Sequence, residues 1–225
     1  MNQTLESSGV KSDTKERILD AAEKLFADNG FPATSLRQIT SAAGANLAAV
    51  NYYFHSKEAL AWAVLMRRLE PINDERLRRL AEVEASTSGP LPLEAVVDCL
   101  IRPVFDVRRR RELSQFPRFM ARLLLEPGDW VDRLMRQSLG PLMLRFMDAF
   151  RRASPEVEMT EILWGTFFGI GSFVHTLANP HSFQMLASLH EMRVDDEAIA
   201  DRLVRFISAG MRSLGGRTAA SGDAS

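Results

Sequence analysis

Histidine, cysteine and glycine are the residue types through which this sequence could bind a metal or perform catalysis. His175, His181 and His190 lie six and nine residues apart, unlike the four-residue spacing of a helical zinc site, and no cysteine is near them. The single cysteine, Cys99, cannot form an internal disulfide or a thiolate cluster. The sequence also lacks a nucleophile elbow, a carboxylate pair tied to a cleft, and a glycine-rich phosphate loop. We therefore predict no metal, no cofactor and no catalytic residue, and expect the protein to act by binding rather than as an enzyme.

The charge balance limits how this chain could bind nucleic acid. Its 28 Lys and Arg residues are offset by 29 Asp and Glu residues, for a formal net charge of -1. Any contact with DNA must therefore come from a few placed donors rather than from a global positive field. Four consecutive arginines at 108–111 fall at the C-terminal end of a predicted helix, where the helix dipole and water stabilise cations. We interpret this run as solvated surface, and a second DNA contact is the alternative.

Composition and the N-terminal segment bear on where the protein acts. Hydrophobic residues make up 46% of the chain and charged residues 25%, which is typical of a soluble globular protein. The N-terminus is polar and has no apolar segment of the kind found in signal peptides. No stretch reaches the roughly 18 apolar residues needed to cross a bilayer. We expect a cytoplasmic protein with no membrane partner.

Apolar residues recur at helical spacing along almost the whole chain, and no stretch alternates as a strand would. We predict an all-α fold with a helix-turn-helix domain at 13–60 and a larger helical domain at 61–214. The ends at 1–12 and 215–225, which are poor in apolar residues, are predicted to be disordered tails. Breaks rich in Gly, Pro and Ser place the C-terminal helices at about 93–111, 114–125, 129–152, 156–178, 183–191 and 195–214.

Capping residues predict the limits of the first and fourth helices. Asp13 and Glu16 have the spacing of a capping box that would open the first helix. Gly30 is a suitable residue to end that helix. Ser56 is positioned to cap a fourth helix, which we predict to run to about residue 83.

Between these helices, residues 34–54 predict two short helices joined by a tight turn. Ser35 and Gln38 are spaced for a second capping box, Gly44 permits the turn, and Asn46 caps the helix that follows. This order is the helix-turn-helix arrangement, in which the second short helix enters the major groove of DNA. Any three short helices with a glycine between them give the same pattern, so the order alone leaves a purely structural bundle open.

Three runs within residues 30–60 add detail to this pattern: GFPATSLRQI, AAG and AAVNYYFHSKEAL. They place a glycine, an aromatic residue, a threonine, an alanine-glycine turn and a tyrosine-rich helix in fixed register before Ser-Lys-Glu. This pattern closely resembles the DNA-binding signature of the TetR family of transcription regulators. The resemblance implies a homodimer with an N-terminal three-helix head that binds operator DNA and a larger C-terminal domain for effector binding and dimerisation.

The resemblance also assigns DNA contacts residue by residue. It implies that Thr34 stands at the N-terminus of the second helix, where its hydroxyl and the free backbone N–H groups take a phosphate. It also implies that Tyr52 and Tyr53 contact phosphate, sugar or thymine methyl groups, and that Lys57 meets the DNA backbone. Core packing is the alternative for each tyrosine. The family often has Ser or Thr in place of Asn46 and His in place of Tyr53, departures that bear on the operator sequence. The implied DNA-binding residues are Thr34, Ser35, Arg37, Asn46, Leu47, Ala49, Tyr52, Tyr53 and Lys57.

Aromatic and methionine residues recur in the C-terminal half, where the resemblance implies a cavity for a small apolar effector. The runs NLAAVNY, RRLEPIN and FMARLLLEP look like those of TetR regulators that respond to fatty acids or their thioesters. An acidic head group would then pair with Arg118 or Arg122, and solvated surface is the alternative for both. The expected ligand-binding residues are Phe119, Met120, Arg122, Leu124, Met143, Phe146, Met147, Trp164 and Phe168. Core filling is the alternative for each apolar one.

Two glycines in the C-terminal half predict a close helix contact. Gly165 and Gly169 are four residues apart, which leaves one helix face nearly bare, although glycine costs about 1 kcal/mol relative to alanine in a helix. We interpret the bare face as the place where a partner chain packs. The predicted dimer interface consists of Gly165, Gly169, Ser172, Leu203, Phe206 and Gly210.

These observations lead to one hypothesis and two alternatives. The hypothesis is a repressor that binds a palindromic operator as a homodimer and is released by a fatty acid or acyl thioester. One alternative is a helix-turn-helix protein that organises DNA or binds a protein partner without a small effector. The other is a helical carrier or enzyme with a degenerate head. Salt-dependent operator binding that acyl ligands reverse would favour the hypothesis over both.

Overall fold

The computed structural model describes residues 3–109, 116, 120, 132–133, 135–179, 184–185, 187–191 and 196–215. These residues contain helices and no strand, which confirms the predicted all-α fold. The helices are α1 (Gln3–Asn29), α2 (Leu36–Ala43), α3 (Leu47–Phe54), α4 (Lys57–Ser86), α5 (Leu93–Arg109), a π-helical segment (Met135–Leu139), α6 (Gly140–Ala153), α7 (Met159–Ala178) and α8 (Asp196–Gly215). The predicted helix at 114–125 lies largely outside the described residues, as do residues 110–111 of the arginine run. Within the predicted helix at 183–191, residues 184–185 and 187–188 are helical and residues 189–191 form a turn.

Helix α1 begins at Gln3 rather than near Asp13, so the predicted start was wrong. No proline interrupts residues 3–12, and the helix continues through them. Asp13 therefore lies inside the helix and cannot cap it. Its carboxylate instead lies 3.1 Å from the guanidinium of Arg17, one turn further on.

Two C-terminal helices also differ from their predicted bounds. Helix α6 was predicted within 129–152, but residues Met135–Leu139 are π-helical and the α-helix begins at Gly140. Pro141 has no N–H to donate to the preceding turn, which accounts for a break in the regular pattern at this point. Helix α7 begins at Met159 rather than 156, because Ser154 and Val157 form a turn before it.

Helix α4 connects the two halves of the molecule. Its N-terminal part packs against α1 and α3, and its later part packs against α5. Near the middle, the Arg67 guanidinium lies 2.7 Å from the buried carboxylate of Glu23 and within 3.0 Å of Asp20 and Glu16, all on α1. The Arg68 guanidinium also contacts Glu23, at 3.1 Å. Charge-assisted hydrogen bonds therefore hold the N-terminal head to the helix that continues into the C-terminal domain.

The C-terminal domain is built around α5, which packs against α4, α6 and α8. Helix α7 packs against α6 and α8. The buried face of α5 is apolar, and Pro103 lies inside this helix. None of the helices in the described ranges combines the length and apolarity required to cross a bilayer. The packing of α4 to α8 leaves an internal cavity, described below.

Candidate DNA interface and effector cavity

Helix α2 and the turn after it form through contacts between residues close in sequence. The Ser35 hydroxyl accepts a hydrogen bond from the Gln38 N–H, and the Gln38 side chain accepts one from the Ser35 N–H, so the predicted capping box is confirmed. Gly44 ends the helix with φ of 59°, a left-handed conformation that glycine adopts without steric cost. These contacts fix the direction in which the chain enters α3.

Helix α3 begins at a cap and exposes one face. The Asn46 side chain accepts a hydrogen bond from the Ala49 N–H at 2.8 Å, which confirms the predicted cap. Val50 and Phe54, one turn apart, are buried against the head. On the other side Tyr52 is 67% exposed, with its ring centre 5.0 Å from that of Tyr53 in an edge contact.

The predicted DNA-binding residues do not all lie on this exposed face. Arg37, Asn46, Leu47 and Tyr52 are exposed, together with Ser35, whose hydroxyl is engaged in the capping box. Arg37 extends from α2, and Asn46 and Leu47 stand at the start of α3. This arrangement places polar and aromatic side chains at one end of the head, where a duplex could approach.

The Thr34 hydroxyl does not have its predicted role. This residue is only 1% exposed, and its hydroxyl lies 2.8 Å from the carbonyl of Gly30 and 3.1 Å from that of Leu25. Its hydroxyl therefore bonds to the C-terminal end of α1 and cannot reach a phosphate. Thr34 stabilises the junction between α1 and α2 from inside.

Ala49, Tyr53 and Lys57 also differ from the predicted arrangement. Ala49 and Tyr53 are half-buried and pack against the core, so the alternative of core packing holds for Tyr53. The Lys57 ammonium bends back over the ring of Phe31, 4.4 Å from its centre, and lies 3.4 Å from the carbonyl oxygen of Pro32. Lys57 therefore braces the loop after α1 in this structure.

Sequence reasoning missed two exposed residues of α3. Ala48 and Asn51 lie on the same outward side as Tyr52. The signal was available in the spacing, because Val50 and Phe54 define the buried side and, at helical spacing, positions 48, 51 and 52 fall on the side away from them. An amide such as that of Asn51 is a suitable group for reading a base edge in the major groove.

The C-terminal domain contains a cavity of about 110 Å³. Its walls come from α4 to α8, from the π-helical segment and from Met120, and the lining side chains are mostly aliphatic, aromatic or methionine. The lining residues are Arg76, Val97, Leu100, Ile101, Met120, Leu139, Leu142, Met143, Phe150, Thr166, Gly169, Ile170, Phe173, Val174, Ile207 and Met211. Such a cavity is suited to an apolar molecule.

Only some of the predicted ligand-binding residues line this cavity. Met120 and Met143 do, whereas Phe146 is buried beside the cavity without lining it, and Met147 is half-buried with its sulfur 3.6 Å from the Thr166 hydroxyl. The predictions for Trp164 and Phe168 were wrong, because these side chains are 50% and 57% exposed on the outer face of α7. The remaining predicted residues, Phe119, Arg122 and Leu124, lie outside the described residues, as does Arg118.

The two faces of α7 have different compositions. Gly165 and Gly169 are buried against α8 of the same chain, where a Cβ at 169 would lie 2.9 Å from Cγ2 of Ile207. These glycines therefore permit close packing within the protomer, which the sequence did not predict. Their contact with a partner chain stays a prediction, because they also line the groove between α7 and α8. The outer face presents large exposed hydrophobic side chains, and together with one from α8 they form an aromatic face: Leu163, Trp164, Phe167, Phe168 and Phe206.

The other predicted dimer residues divide between the interior and this surface. Leu203 is buried within its own chain, so its assignment to a partner contact was wrong. Phe206 and Gly210 are exposed, and Ser172 is half-buried with its hydroxyl donating to the Phe168 carbonyl at 3.0 Å. Ser172, Phe206 and Gly210 line a groove between α7 and α8 together with Phe168.

Two family models match this chain. One, described as bacterial regulatory proteins of the tetR family, matches residues 18–64. The other, described as a tetracyclin repressor-like C-terminal domain, matches residues 98–210. The first match includes the helix-turn-helix, and the second includes most of the residues that form the cavity.

A relative with a similar sequence is also described as a transcriptional regulator. The chain is 27% identical to the probable HTH-type transcriptional regulator YttP of Bacillus subtilis over 111 residues, which are 48% of this chain and 50% of that relative. The chain thus spans about half the length of YttP. Since the families and this relative are named as regulators, the prediction that the protein is not an enzyme is confirmed.

Two solved structures share the fold over nearly their whole length. The fatty acid degradation regulator FadR from Bacillus halodurans superposes with a TM-score of 0.61 at 15% identity, over 88% of this chain and 96% of FadR. NalD, the secondary repressor of the MexAB-OprM multidrug efflux pump in Pseudomonas aeruginosa, gives a TM-score of 0.63 at 19% identity, over 89% and 97%. At these identities the likeness is one of fold.

Proposed function

This chain belongs to the TetR family of bacterial regulatory proteins, and we propose on that premise that it is a homodimeric repressor released by a small apolar effector. At the level of the family it is a helix-turn-helix transcription regulator. The proposal adds a palindromic operator, a symmetric dimer and an effector cavity. It also places the protein in the cytoplasm, where the bacterial chromosome lies.

The outward face of α3 is the observation on which the DNA-binding proposal depends. Its buried side is fixed by Val50 and Phe54, so Ala48, Asn51 and Tyr52 point away from the head. A single helix fits the major groove, and its N-terminal residues contact base edges. Tyr52 supplies a hydroxyl for phosphate and a ring for apolar contact, which makes it the best candidate for an energetically large contact.

The aromatic face of α7 and α8 supports the dimer. Trp164 and Phe168 stack with their ring centres 5.6 Å apart and remain half-exposed in the protomer. Phe206 from α8 is 66% exposed. Contiguous exposed apolar surface of this kind is typical of an interface, and a two-fold axis would pair the face with itself. A symmetric pair would hold two α3 helices roughly 34–36 Å apart, the length of one DNA turn.

The cavity and α4 support the effector part of the proposal. Arg76 lines the cavity, while Arg67, nine residues earlier on the same helix and ~14 Å along its axis, is ion-paired to α1 of the head. A ligand that favours one position of α4 would therefore bias the position of the head, to the extent that it binds one conformer better than the other. The fold shared with FadR agrees with a fatty-acid class of effector, and the fold shared with NalD agrees with repression.

The test uses DNA selected from a random library by the full-length protein, followed by fluorescence anisotropy on the selected duplex. Tyr52→Ala is expected to weaken binding about tenfold or more, because it removes an exposed groove or phosphate contact. Leu144→Ala is the matched control, since Leu144 is also a large exposed side chain but lies on α6. Failure to select any duplex, or equal affinity for both variants and the unmodified protein, would overturn the DNA-binding proposal.

A further inference from the structure

Arg76 is a buried cation in the wall of an otherwise apolar cavity. Its side chain extends from α4, it is 4% exposed, and it lines the cavity alongside Leu100, Ile101 and Met143. The only other polar side chain in the described lining, Thr166, donates its hydroxyl proton to the Ile162 carbonyl at 2.8 Å. Arg76 is therefore the one charged group that a molecule in this cavity would meet among the described residues.

The partners of Arg76 are neutral. Its Nε donates to the Leu100 carbonyl at 2.7 Å, and its Nη1 donates to Oδ1 of Asn73 at 2.9 Å. No carboxylate within the described ranges lies at ion-pair distance from it. A guanidinium has five N–H donors, so two neutral acceptors engage only part of its capacity.

Other arginines of the same domain provide a contrast. The Arg79 guanidinium lies 2.6 Å from Glu75 and 2.7 Å from Asp106, and Arg102 lies 2.5 Å from Asp98. These residues are partly exposed and fully paired with acids, whereas the more deeply buried Arg76 is not. Burial lowers the pKa of Arg76 to about 10, which still leaves it protonated at neutral pH.

A buried charge without a counter-ion is unfavourable, and an anion that reaches it relieves the cost. We propose that the effector is an amphipathic free carboxylate, with its head group bound by Arg76 and its tail among the aliphatic, aromatic and methionine side chains of the cavity. This inference rests on the proposed function, because it identifies the chemical class of the effector. It assigns binding of the acidic head group to Arg76 instead of to Arg118 or Arg122, which the sequence had suggested.

The position of Arg76 also predicts that free fatty acids bind more tightly than their thioesters. Its guanidinium lies inside the protein, in a cavity of about 110 Å³, smaller than the ~150 Å³ cavity that accommodates benzene in another protein. We expect a carboxylate to pair with this guanidinium, whereas a thioester carbonyl carries no charge to offer it and the nucleotide portion of an acyl-coenzyme A is far larger than the cavity. A tail of several carbons must also enlarge the cavity, and Met120, Met143 and Met211 have the flexibility to make that space. The effector would therefore favour a conformer that differs from the unliganded one.

The experiment compares octanoate, 1-octanol and octanoyl-coenzyme A by calorimetric titration of the full-length protein. Octanoate and 1-octanol have equal tails and differ in head-group charge. We expect octanoate to bind about tenfold or more tightly than 1-octanol, and octanoyl-coenzyme A to bind no better than 1-octanol. Equal affinity for octanoate and 1-octanol, or tighter binding of the thioester, would overturn the inference without any variant being made.

Two substitutions test whether Arg76 causes the preference for octanoate over 1-octanol. Arg76→Met keeps an unbranched side chain without the charge and is expected to remove the preference for octanoate. Arg76→Lys keeps the charge and is expected to retain part of that preference. Arg78→Met is the matched control, because Arg78 lies on the same helix but is exposed and paired with Glu75 and Glu82. Unchanged octanoate binding in a folded Arg76→Met protein would overturn the inference.

Binding of the selected operator, measured on the same samples, separates this inference from the proposed function. If 1-octanol releases the operator as well as octanoate does, the repressor proposal stands and the role of Arg76 is wrong. If octanoate binds through Arg76 but no operator is bound, the carboxylate site stands and the regulator proposal fails. If neither ligand binds while the operator does, both the carboxylate site and the effector part of the proposal are wrong.

Discussion

The helix-turn-helix head and the cavity domain are built from contacts of different range. In the head, caps at Ser35 and Asn46 and the turn at Gly44 each depend on residues three to five positions apart. The cavity is lined by residues from Arg76 to Met211, which become neighbours only when five helices pack. Contacts between residues close in sequence therefore determine the shape of the proposed DNA-binding surface, whereas the packing of distant helices determines the shape of the cavity.

A substitution in the aromatic face of α7 and α8 tests the proposed dimer most directly. Trp164→Glu puts a charge among exposed aromatic residues, and we expect it to give monomers in sedimentation velocity at micromolar concentration. Operator affinity should then fall by roughly a hundredfold or more, because the second head no longer binds as part of the same molecule. Leu144→Glu, an equally polar change at an exposed site on α6, should leave the dimer intact. A Trp164→Glu protein that stays dimeric would show that the two heads are joined elsewhere.

Thr34→Val tests whether Thr34 stabilises the interior of the head without contacting DNA. We expect the free energy of unfolding to fall by about 1–3 kcal/mol in urea titrations, because the buried carbonyls of Leu25 and Gly30 lose their donor. Thr160→Val, at an exposed threonine of α7, should change it by less than about 0.5 kcal/mol. Weaker operator binding with unchanged stability would instead assign Thr34 to phosphate binding.

Gly169→Ala tests the long-range packing of the cavity domain. The added Cβ would approach Ile207, and we expect a net loss of about 1–2 kcal/mol of stability despite the higher helix propensity of alanine. Ile207→Ala removes the atoms that would collide. In a double-mutant cycle the two changes should therefore couple by about 0.5–3 kcal/mol. Additive effects would mean that α7 and α8 do not approach closely at this point.

Gly44→Ala gives the smallest expected effect and tests the local turn. No atom lies within 4 Å of the position that a Cβ would occupy, so the cost comes from the left-handed backbone alone. We expect a loss of about 1 kcal/mol in thermal unfolding, and a smaller loss for Gly44→Asn, since asparagine adopts this conformation more readily. Equal losses for the two variants would indicate a packing role for Gly44.

The sequence predicted the local features of the head well and the cavity poorly, for reasons visible in particular residues. The caps and the turn were correct because their partners are a few positions away. Thr34 was misassigned because its acceptors, nine and four residues earlier, depend on how α1 ends. Trp164 was misassigned to the cavity, and the packing of Gly165 and Gly169 against α8 was missed. Spacing shows that these residues lie on different faces of α7 without showing which face meets α8.

Arg76 could not be identified from the sequence. It lies in a helix of thirty residues rich in arginine, and only the packing of α5 against α4 distinguishes it from its exposed neighbours. Its burial is a property of the assembled domain, as is the absence of an acid beside it among the described residues. Sequence patterns of this kind therefore predict which surface binds DNA better than they predict which interior residue binds a ligand.

Hydroxyl-radical footprinting of the selected operator tests the central claim most directly, which is that α3 of each protomer lies in a groove of duplex DNA. The account predicts two protected patches related by a two-fold axis and centred about one helical turn apart, both of which disappear with Tyr52→Ala while Leu144→Ala leaves them in place. A single patch, or a footprint that Tyr52→Ala does not alter, would contradict it.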